Sequence, residues 1–562
     1  MPTYEGRLEL TWTNKPLRLL AHEDGSYEWV SPSDYRVAEV RLLHDAGAVG
    51  EVHAQPDRAM DNLLIRGDAL NALTSLIELP EFAREYLGKV KLVYLDPPFN
   101  TQQSFLHYDD ALEHSVWLTM MRDRLVSIKT LLSPEGSVWV HCDDSEQAYL
   151  KVMMDELFGR ENFVAAMVWQ KLMGRENRTD ISTTHDYVLL YARSRGQWAA
   201  TRNVLPFGED QMARYANPDD DHRGPWTSGD LTAKAGAGRR RSQFYAITLP
   251  SGRIVNPPPG RCWLFTEDRL QEFMADDRIW FRDGDSVPRL KRFLSEVAGG
   301  LVPSTWWPAD EVSTNDAAKK EVRNLFPECI PFDTPKPERL LQRVIQIGSN
   351  PGDIVLDCFL GSGTTTAVAQ KMGRRWIGVE RSAETVDRHI IPRLTRVVEA
   401  TDVGGITEAA NWTGGGGFRI LHIDPSMFEA VDGQVYLSEW ATNGKLAEVT
   451  AAQLHYDYQY DPPFCGRRGR SRLAVIDGLV NEAVVRLVAN GLAEEERLVI
   501  CGTAIDPAAR EVLRGLRPGS SVRKIPHSIL QEYRQSIRWV QPALLDSSAN
   551  GVAMVDAEAV QA

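Results

Sequence analysis

Apolar and polar positions along this chain switch repeatedly between a period of two and a period near four. Val90 to Leu95 is an apolar, β-branched run of the kind that forms a strand buried on both faces. It halts at Asp96-Pro97-Pro98-Phe99, where two successive prolines remove two backbone donors and force an extended turn. Upstream, Asp61 to Asp68 reads as a strand ending in Gly67-Asp68. A helix over Ala69 to Leu79 follows, with Leu70, Leu73, Leu76 and Ile77 on one face and Pro80 as its stop. Downstream, Leu118, Met121, Leu125, Ile128 and Leu132 predict a helix over Trp117 to Leu132, closed by Ser133-Pro134-Glu135-Gly136. Ser137 to His141, Phe163 to Trp169 and His185 to Tyr191 read as strands, with a helix between the first two that Asp143-Asp144-Ser145 can cap and that runs through Phe158. This alternation predicts an α/β fold with a largely parallel sheet and helices on both faces.

The pattern breaks between about 196 and 325 into short pieces rich in Gly, Pro, Arg and Trp, then resumes. Phe332-Asp333-Thr334-Pro335-Lys336-Pro337 leads into a helix with Leu340, Leu341, Val344, Ile345 and Ile347 on its apolar side. A strand over Asp353 to Asp357 then meets the turn Cys358-Phe359-Leu360-Gly361-Ser362-Gly363 and a helix start. Gly361 and Gly363 allow the backbone to pass close under a ligand, and the helix N-terminus offers free N–H groups. A second strand, Arg375 to Val379, ends in Glu380, nineteen residues after Gly361 and placed to accept from both hydroxyls of a ribose. The third glycine of the dinucleotide fingerprint is replaced by Thr366, and no phosphate-binding G-x-x-x-x-G-K-[ST] loop occurs. Further on, Gly414 to Gly417 reads as a hinge or loop. Leu473 to Ile525 reads strand, helix, strand, helix, strand, a small α/β domain without an active-site constellation.

Composition narrows the class. The chain has 562 residues, 43% of them hydrophobic, with a net charge of −14, which suits a multidomain globular protein. No apolar run approaches membrane-spanning length and the N-terminus lacks signal-peptide character, so a cytoplasmic protein without membrane contact is expected. Its six cysteines are scattered with no C-x-x-C pair, which argues for neither a disulfide framework nor a metal site. The charge is unevenly spread. Between His222 and Trp263 stand Arg223, Lys234, Arg239, Arg240, Arg241, Arg253 and Arg261 against the single acidic Asp230, interleaved with Trp226, Phe244, Tyr245 and Trp263. Such a stripe suits a phosphate backbone and base edges, and suggests a DNA-binding, target-recognition region.

The chemistry centres on Asp96-Pro97-Pro98-Phe99. A carboxylate, a prolyl carbonyl and an aromatic ring at the carboxyl end of a buried strand offer two hydrogen-bond acceptors and a stacking surface to a planar, amino-bearing base. The same letters recur at Asp461-Pro462-Pro463-Phe464, but behind a polar and aromatic lead-in, Tyr456 to Tyr460, so that copy is read as a turn. Gly67-Asp68 could be a turn with a helix N-cap or part of a ligand site.

The order of these motifs, from the Gly-Asp strand through Asp-Pro-Pro-Phe, the basic insertion and Pro-Lys-Pro to Phe-Leu-Gly-Ser-Gly and Glu, resembles the circularly permuted β-class DNA amino-methyltransferases. Within that class it is similar to the modification (Mod) subunits of type III restriction-modification systems. The resemblance spans roughly residues 61 to 395. It implies a seven-stranded Rossmann-like sheet, S-adenosylmethionine as cofactor and adenine N6 as the methyl acceptor. It implies that Asp96 and the Pro97 carbonyl grip the amine with Pro98 completing the turn, and that Phe99 stacks on the base. Around the cofactor it places Asp68, Asp357, Phe359, Gly361, Gly363 and Glu380, with Thr334 and Lys336 near its methionine end. Phe99 departs from the commoner Tyr, which costs little because stacking needs the ring. The implied partners are double-stranded DNA, a second copy in a homodimer, and a restriction/helicase subunit. The implied organisation is an N-terminal extension (1–60), a catalytic half (61–195), a target-recognition region (196–325), a cofactor half (326–400) and a C-terminal assembly domain (401–562). Two alternatives stand beside this expectation: a methyltransferase acting on cytosine N4 or RNA, and a DNA-binding specificity subunit that works through partners.

Overall fold

The structure is a computed structural model that describes residues 9–21, 27–54, 57–100, 113–175, 177, 180–208, 212–235, 241–282, 285–296, 299–328 and 332–535. These residues form two compact units, one of residues 204–303 and one of the rest. In the larger unit, ten strands among the described residues make one sheet: β1 (Leu43–Gly50), β2 (Asn62–Arg66), β3 (Val90–Leu95), β4 (Leu132–Cys142), β5 (Phe163–Gln170), β6 (His185–Ala192), β7 (Trp306–Trp307), β8 (Ile354–Asp357), β9 (Arg375–Glu380) and β10 (Gly417–Ile423). Their spatial order is β7-β5-β6-β4-β3-β8-β9-β2-β10-β1. The run β4-β3-β8-β9-β2-β10 is parallel throughout. Strand β6 is antiparallel to both β4 and β5, and β1 is antiparallel to β10.

The sheet is largely parallel, as expected, and of the ten strands β6 and β1 alone run against the rest. One expectation is corrected: the sheet exceeds seven strands. The seven from β5 to β2 are flanked by Trp306–Trp307 on one edge and by β10 and β1 on the other, so residues assigned to an N-terminal extension and to an assembly domain complete the catalytic sheet.

Helices cover both faces. Helix α1 (Ala69–Glu78) starts where the Asp68 carboxylate accepts from Leu70 N at 2.7 Å, and buries Leu70, Leu73 and Leu76. Helix α2 (His114–Leu131) packs beside it, and Leu73 and Leu125 share one core with Val93 and Leu95 of β3. Leu92 points the other way, toward Gly348 at the end of α3 (Glu338–Gly348); a Cβ on that glycine would lie 2.5 Å from Leu92 Cδ1. Successive residues of a strand face opposite sides, so the uniformly apolar run of β3 is explained by having helices above and below it.

The smaller unit carries a three-stranded antiparallel sheet with Arg289–Phe293 in the middle, between Trp226–Asp230 and Ile279–Trp280. Its apolar core includes Leu231, Ile247, Trp263, Leu270 and Ile279. Buried Lys291 pins the fold by pairing with Asp219, Asp221 and Asp277 at 2.6, 3.0 and 3.1 Å, so its ammonium takes the centre of this acidic group. The unit is narrower than the expected 196–325. Helix Arg195–Thr201, strand β7 and helix Asn315–Leu325 belong to the larger unit.

At the C-terminal end β11 (Asp457–Asp461), β12 (Phe464–Arg468), β13 (Ser471–Val480), β14 (Arg497–Ile505) and β15 (Ser521–Lys524) form a five-stranded sheet in that order, with β13, β14 and β15 parallel. The second Asp-Pro-Pro-Phe is the turn joining β11 to β12, as expected, and Asp461 forms an ion pair with Arg472 there.

Candidate active site

The parallel strands β3, β8, β9 and β2 are neighbours, so their carboxyl ends bring Asp96, Asp357, Glu380 and Asp68 to one edge of the sheet from four separate places in the sequence. A cavity of about 1290 Å³ opens at that edge, and its wall includes Asp68, Asp96, Pro97, Pro98, Phe99, Thr334, Lys336, Asp357, Phe359, Gly361 and Glu380.

On one side lies the Asp-Pro-Pro-Phe turn. Asp96 Oδ2 accepts from Lys336 Nζ at 2.5 Å, while Asp96 Oδ1 is buried with no hydrogen-bond partner among the described residues. A buried carboxylate oxygen left unpaired costs free energy unless an incoming donor takes it. Trp117 Nε1 donates to Pro98 O at 2.6 Å and so fixes the turn to α2. Phe99 stacks on the buried His141 ring, centroids 5.5 Å apart and planes 20° from parallel, and Lys336 Nζ stands over the Phe99 ring 5.0 Å from its centre. His141 is itself fixed: its Nδ1 is 2.9 Å from Tyr94 Oη and its Nε2 is 3.3 Å from Asp186 Oδ2. Burial and the Lys336 charge push the His141 imidazole below its usual range. Lys171 Nζ donates to Asp186 Oδ1 at 2.6 Å.

On the other side lies the glycine turn. Asp357 accepts from Phe359 N at 2.9 Å and from Thr365 Oγ1 at 2.6 Å, yet burial, with smaller contributions from the Asp96 and Glu380 charges, pushes its carboxyl up to about 7. Gly361 N and Ser382 N each donate to Glu380 at 2.9 Å, while burial raises the Glu380 carboxyl above its ordinary value. Gly363 precedes helix α4 (Thr364–Lys371) in the left-handed conformation at φ 77°, which suits glycine, and it is absent from the cavity wall. Its contribution is to bend the chain so that Gly361 can face the ligand. Asp68 caps α1 and also lines the cavity, with its second oxygen 2.9 Å from Arg124 Nη2, whose guanidinium lies 5.7 Å from the Phe359 ring centre.

A family model described as DNA methylase matches residues 90–391, more than half of the chain. The chain belongs to the DNA methylase family. It is 29% identical over 436 residues to the HindVI Mod subunit of a type III restriction-modification enzyme from Haemophilus influenzae, an overlap covering 67% of this chain and 56% of that protein. To the StyLTI Mod subunit from Salmonella typhimurium it is 29% identical over 387 residues, covering 60% and 57%. A shorter match, 56% identical over 98 residues, relates it to the type II methyltransferase M1.MboII from Moraxella bovis, covering 17% and 35%. The chain thus spans a little over half the length of the two Mod subunits.

In this DNA methylase family member the expected catalytic quartet and seven of the eight expected cofactor residues share one cavity. Lys336 adjoins Asp96 and Phe99, a partner that no local sequence pattern announces. Sequence reasoning also passed over Arg124, Trp117, His141 and Asp186; the signal available for His141 was a histidine directly after the apolar run Val138-Trp139-Val140 of a predicted strand. The expected DNA-contacting residues are distributed differently. Arg223 is engaged within its unit, 2.7 Å from Asp221 and 3.1 Å from Asp276, with its guanidinium over the Phe293 ring. Arg261 holds Thr232 through its Oγ1 and carbonyl. Arg253 is half exposed and pairs with Asp285, and Lys234 is exposed. Arg239 and Arg240 lie outside the described residues, as does most of the stretch from Asn100 to Asp109. Among the described residues, no helix is long and apolar enough to cross a membrane.

Proposed function

We propose that this protein transfers a methyl group from S-adenosylmethionine to the exocyclic N6 of an adenine flipped out of double-stranded DNA. The observation that carries the reading is the unpaired Asp96 Oδ1, a buried acceptor at the wall of the cavity that Gly361 and Glu380 also line. The lone pair of an aromatic amine is delocalised into its ring, so the amine is a poor nucleophile until acceptors take its N–H protons and favour a pyramidal nitrogen. Asp96 Oδ1 and the Pro97 carbonyl are the acceptors, and Lys336 keeps the other Asp96 oxygen from turning into their place. Phe99, backed by His141, offers a ring on which the base stacks in exchange for the stacking it loses in the duplex. Glu380 presents its carboxylate to ribose hydroxyls, Asp68 reaches the adenine amine of the cofactor, and Asp357 faces its cationic methionine end. When bound, S-adenosylmethionine supplies a sulfonium-activated methyl for in-line displacement. The contribution of the chain is positioning and preorganised electrostatics.

The Mod subunits to which the chain is similar support a setting in restriction-modification, and we take a second copy of this chain and a restriction/helicase subunit as its partners. In this reading, residues 204–303 recognise the target, with Lys234, Arg239, Arg240, Arg241 and Arg253 on DNA phosphates, and the five-stranded C-terminal sheet serves assembly. Incubation with labelled S-adenosylmethionine and plasmid, RNA or protein tests the substrate, and sequencing the labelled plasmid gives the base. Label on adenine N6 supports the reading. Label on cytosine N4 moves the specificity, and no label on any substrate favours a DNA-binding specificity subunit.

A further inference from the structure

The first forty residues carry no recognisable motif, yet Leu19, Leu20, Tyr27, Arg36 and Val37 line the same cavity as Asp68, Arg124 and Glu380. They come from an antiparallel hairpin, Arg18–Ala21 with Tyr27–Val30, and the short helix Tyr35–Ala38. Polar contacts anchor this segment to the helices around the cavity. Trp12 Nε1 donates to Thr119 Oγ1 of α2 at 2.8 Å, Arg122 of α2 donates to the carbonyls of Lys15 and Leu17, and Ser75 of α1 donates to the carbonyl of Arg41 at 2.7 Å. The attachment lies along α2 between Thr119 and Arg122. Trp117, which holds the catalytic turn, is near one end of this stretch, and Arg124, which pairs with Asp68, is near the other. Seven residues of helix, about 10 Å, separate those two contacts. The chain passes from Trp12 at Thr119 to Leu17 at Arg122, so the strand that begins at Arg18 follows the contact nearer to Arg124 and stands toward the Asp68–Arg124–Phe359 end of the cavity. Arg36 is neutralised there by Asp34 and Glu28, so the surface that the segment offers is chiefly the apolar faces of Leu19, Tyr27 and Val37.

We propose that the strands Arg18–Ala21 and Tyr27–Val30 and the helix Tyr35–Ala38 are the outer wall of the cofactor's nucleoside site, with Tyr27 giving the purine an aromatic surface and Leu19 and Val37 closing it from water. This rests on the assignment of the cavity to S-adenosylmethionine. A purine has two apolar faces and a polar edge; the core residues here, Asp68 and Glu380, serve edges and hydroxyls, and the hairpin supplies a face.

The test is calorimetric titration of the full chain with S-adenosylmethionine and with its demethylated product. Tyr27→Ala should weaken both about five- to ten-fold, as expected for loss of one aromatic contact. Tyr27→Phe should bind like wild type. Glu380→Ala is the reference. If Glu380→Ala weakens binding and Tyr27→Ala does not, the wall is wrong and the cavity assignment stands; if neither does, the assignment fails and the wall with it. A measurement on the unaltered chain covers the case in which Tyr27→Ala does not fold. Cofactor should slow amide hydrogen exchange in residues 27–38 and leave β13 and β14 unchanged, and equal exchange with and without cofactor would overturn the proposal.

Discussion

Lys336 Nζ donates to Asp96 Oδ2 at 2.5 Å, joining residues 240 positions apart. The bond leaves the other oxygen of Asp96 without a partner among the described residues, the oxygen that meets the amine in the proposed reaction, and it joins the two halves of the sheet at that point. Asp96→Ala should lower methyl transfer by roughly 10² to 10³, the usual cost of losing one preorganised group at a reacting centre. Affinity for S-adenosylmethionine should stay within a few-fold. Glu380→Ala should show the reverse split, and single-turnover rates with titrated cofactor will distinguish them. Equal losses of rate and affinity in both variants would mean that the two ends of the cavity are misassigned.

Asp461 supplies an internal control. It repeats the catalytic letters in an exposed hairpin turn and pairs only with Arg472 among the described residues. Asp461→Ala should keep methyl transfer within about two-fold of wild type and shift stability by less than about 1 kcal/mol, as expected for a surface ion pair. A large loss of activity would place the chemistry at the wrong copy of the motif.

Asp357 should make stability depend on pH. Its carboxyl stands at about 7 because of burial, whereas an unfolded chain titrates near 4. Between those values the folded state holds a proton that the unfolded state has released, so this group's contribution is full below about pH 4 and is lost as pH rises through 7. Asp357→Asn removes the ionisation. The variant should match wild type in thermal melts at pH 4, melt about 2–4 °C higher at pH 8, and bind cofactor more weakly. The same difference in melting temperature at both pH values would show that Asp357 does not titrate in this window.

Ending the chain at Ala400 should destroy the fold instead of releasing an assembly domain. Strand β10 lies between β2 and β1, so its removal leaves β1 without its partner and opens an edge beside Asp68. The fragment should be insoluble or melt without cooperativity. A soluble fragment with a sharp transition and intact cofactor binding would restore the domain boundary that the sequence suggests.

Much of this architecture was legible because the signals are local. The apolar run of β3, the prolines after it and the glycine turn before α4 each state their conformation within a few residues. The small C-terminal α/β domain likewise matched its predicted order of strands and helices. What escaped were relationships that only tertiary packing creates. The pair Lys336–Asp96 is one. Another is the buried group in which Glu338 meets Lys371 at 2.8 Å and Arg393 at 2.9 Å while Arg393 also holds Thr364. This ties the segment carrying Lys336 to the glycine turn, through charges that read as ordinary surface residues in the sequence. Strand β1, with Gly47 and exposed positions in its second half, has no apolar alternation to announce it, because as an edge strand it is covered on one side only.

The strand order also has a consequence for synthesis. Strands β2 and β3 leave the ribosome early, but in the finished sheet they are separated by β8 and β9, and β2 is flanked by β10. Their places stay vacant until residue 423 has been made, more than 300 residues after Asp96, which at ordinary elongation rates is on the order of half a minute. For most of that interval the nascent chain holds Asp96 before Lys336, Asp357 and Glu380 have been made. A growing polypeptide thus lacks the assembled cavity, and any chemistry done there begins only in molecules whose smaller unit, residues 204–303, has already been translated.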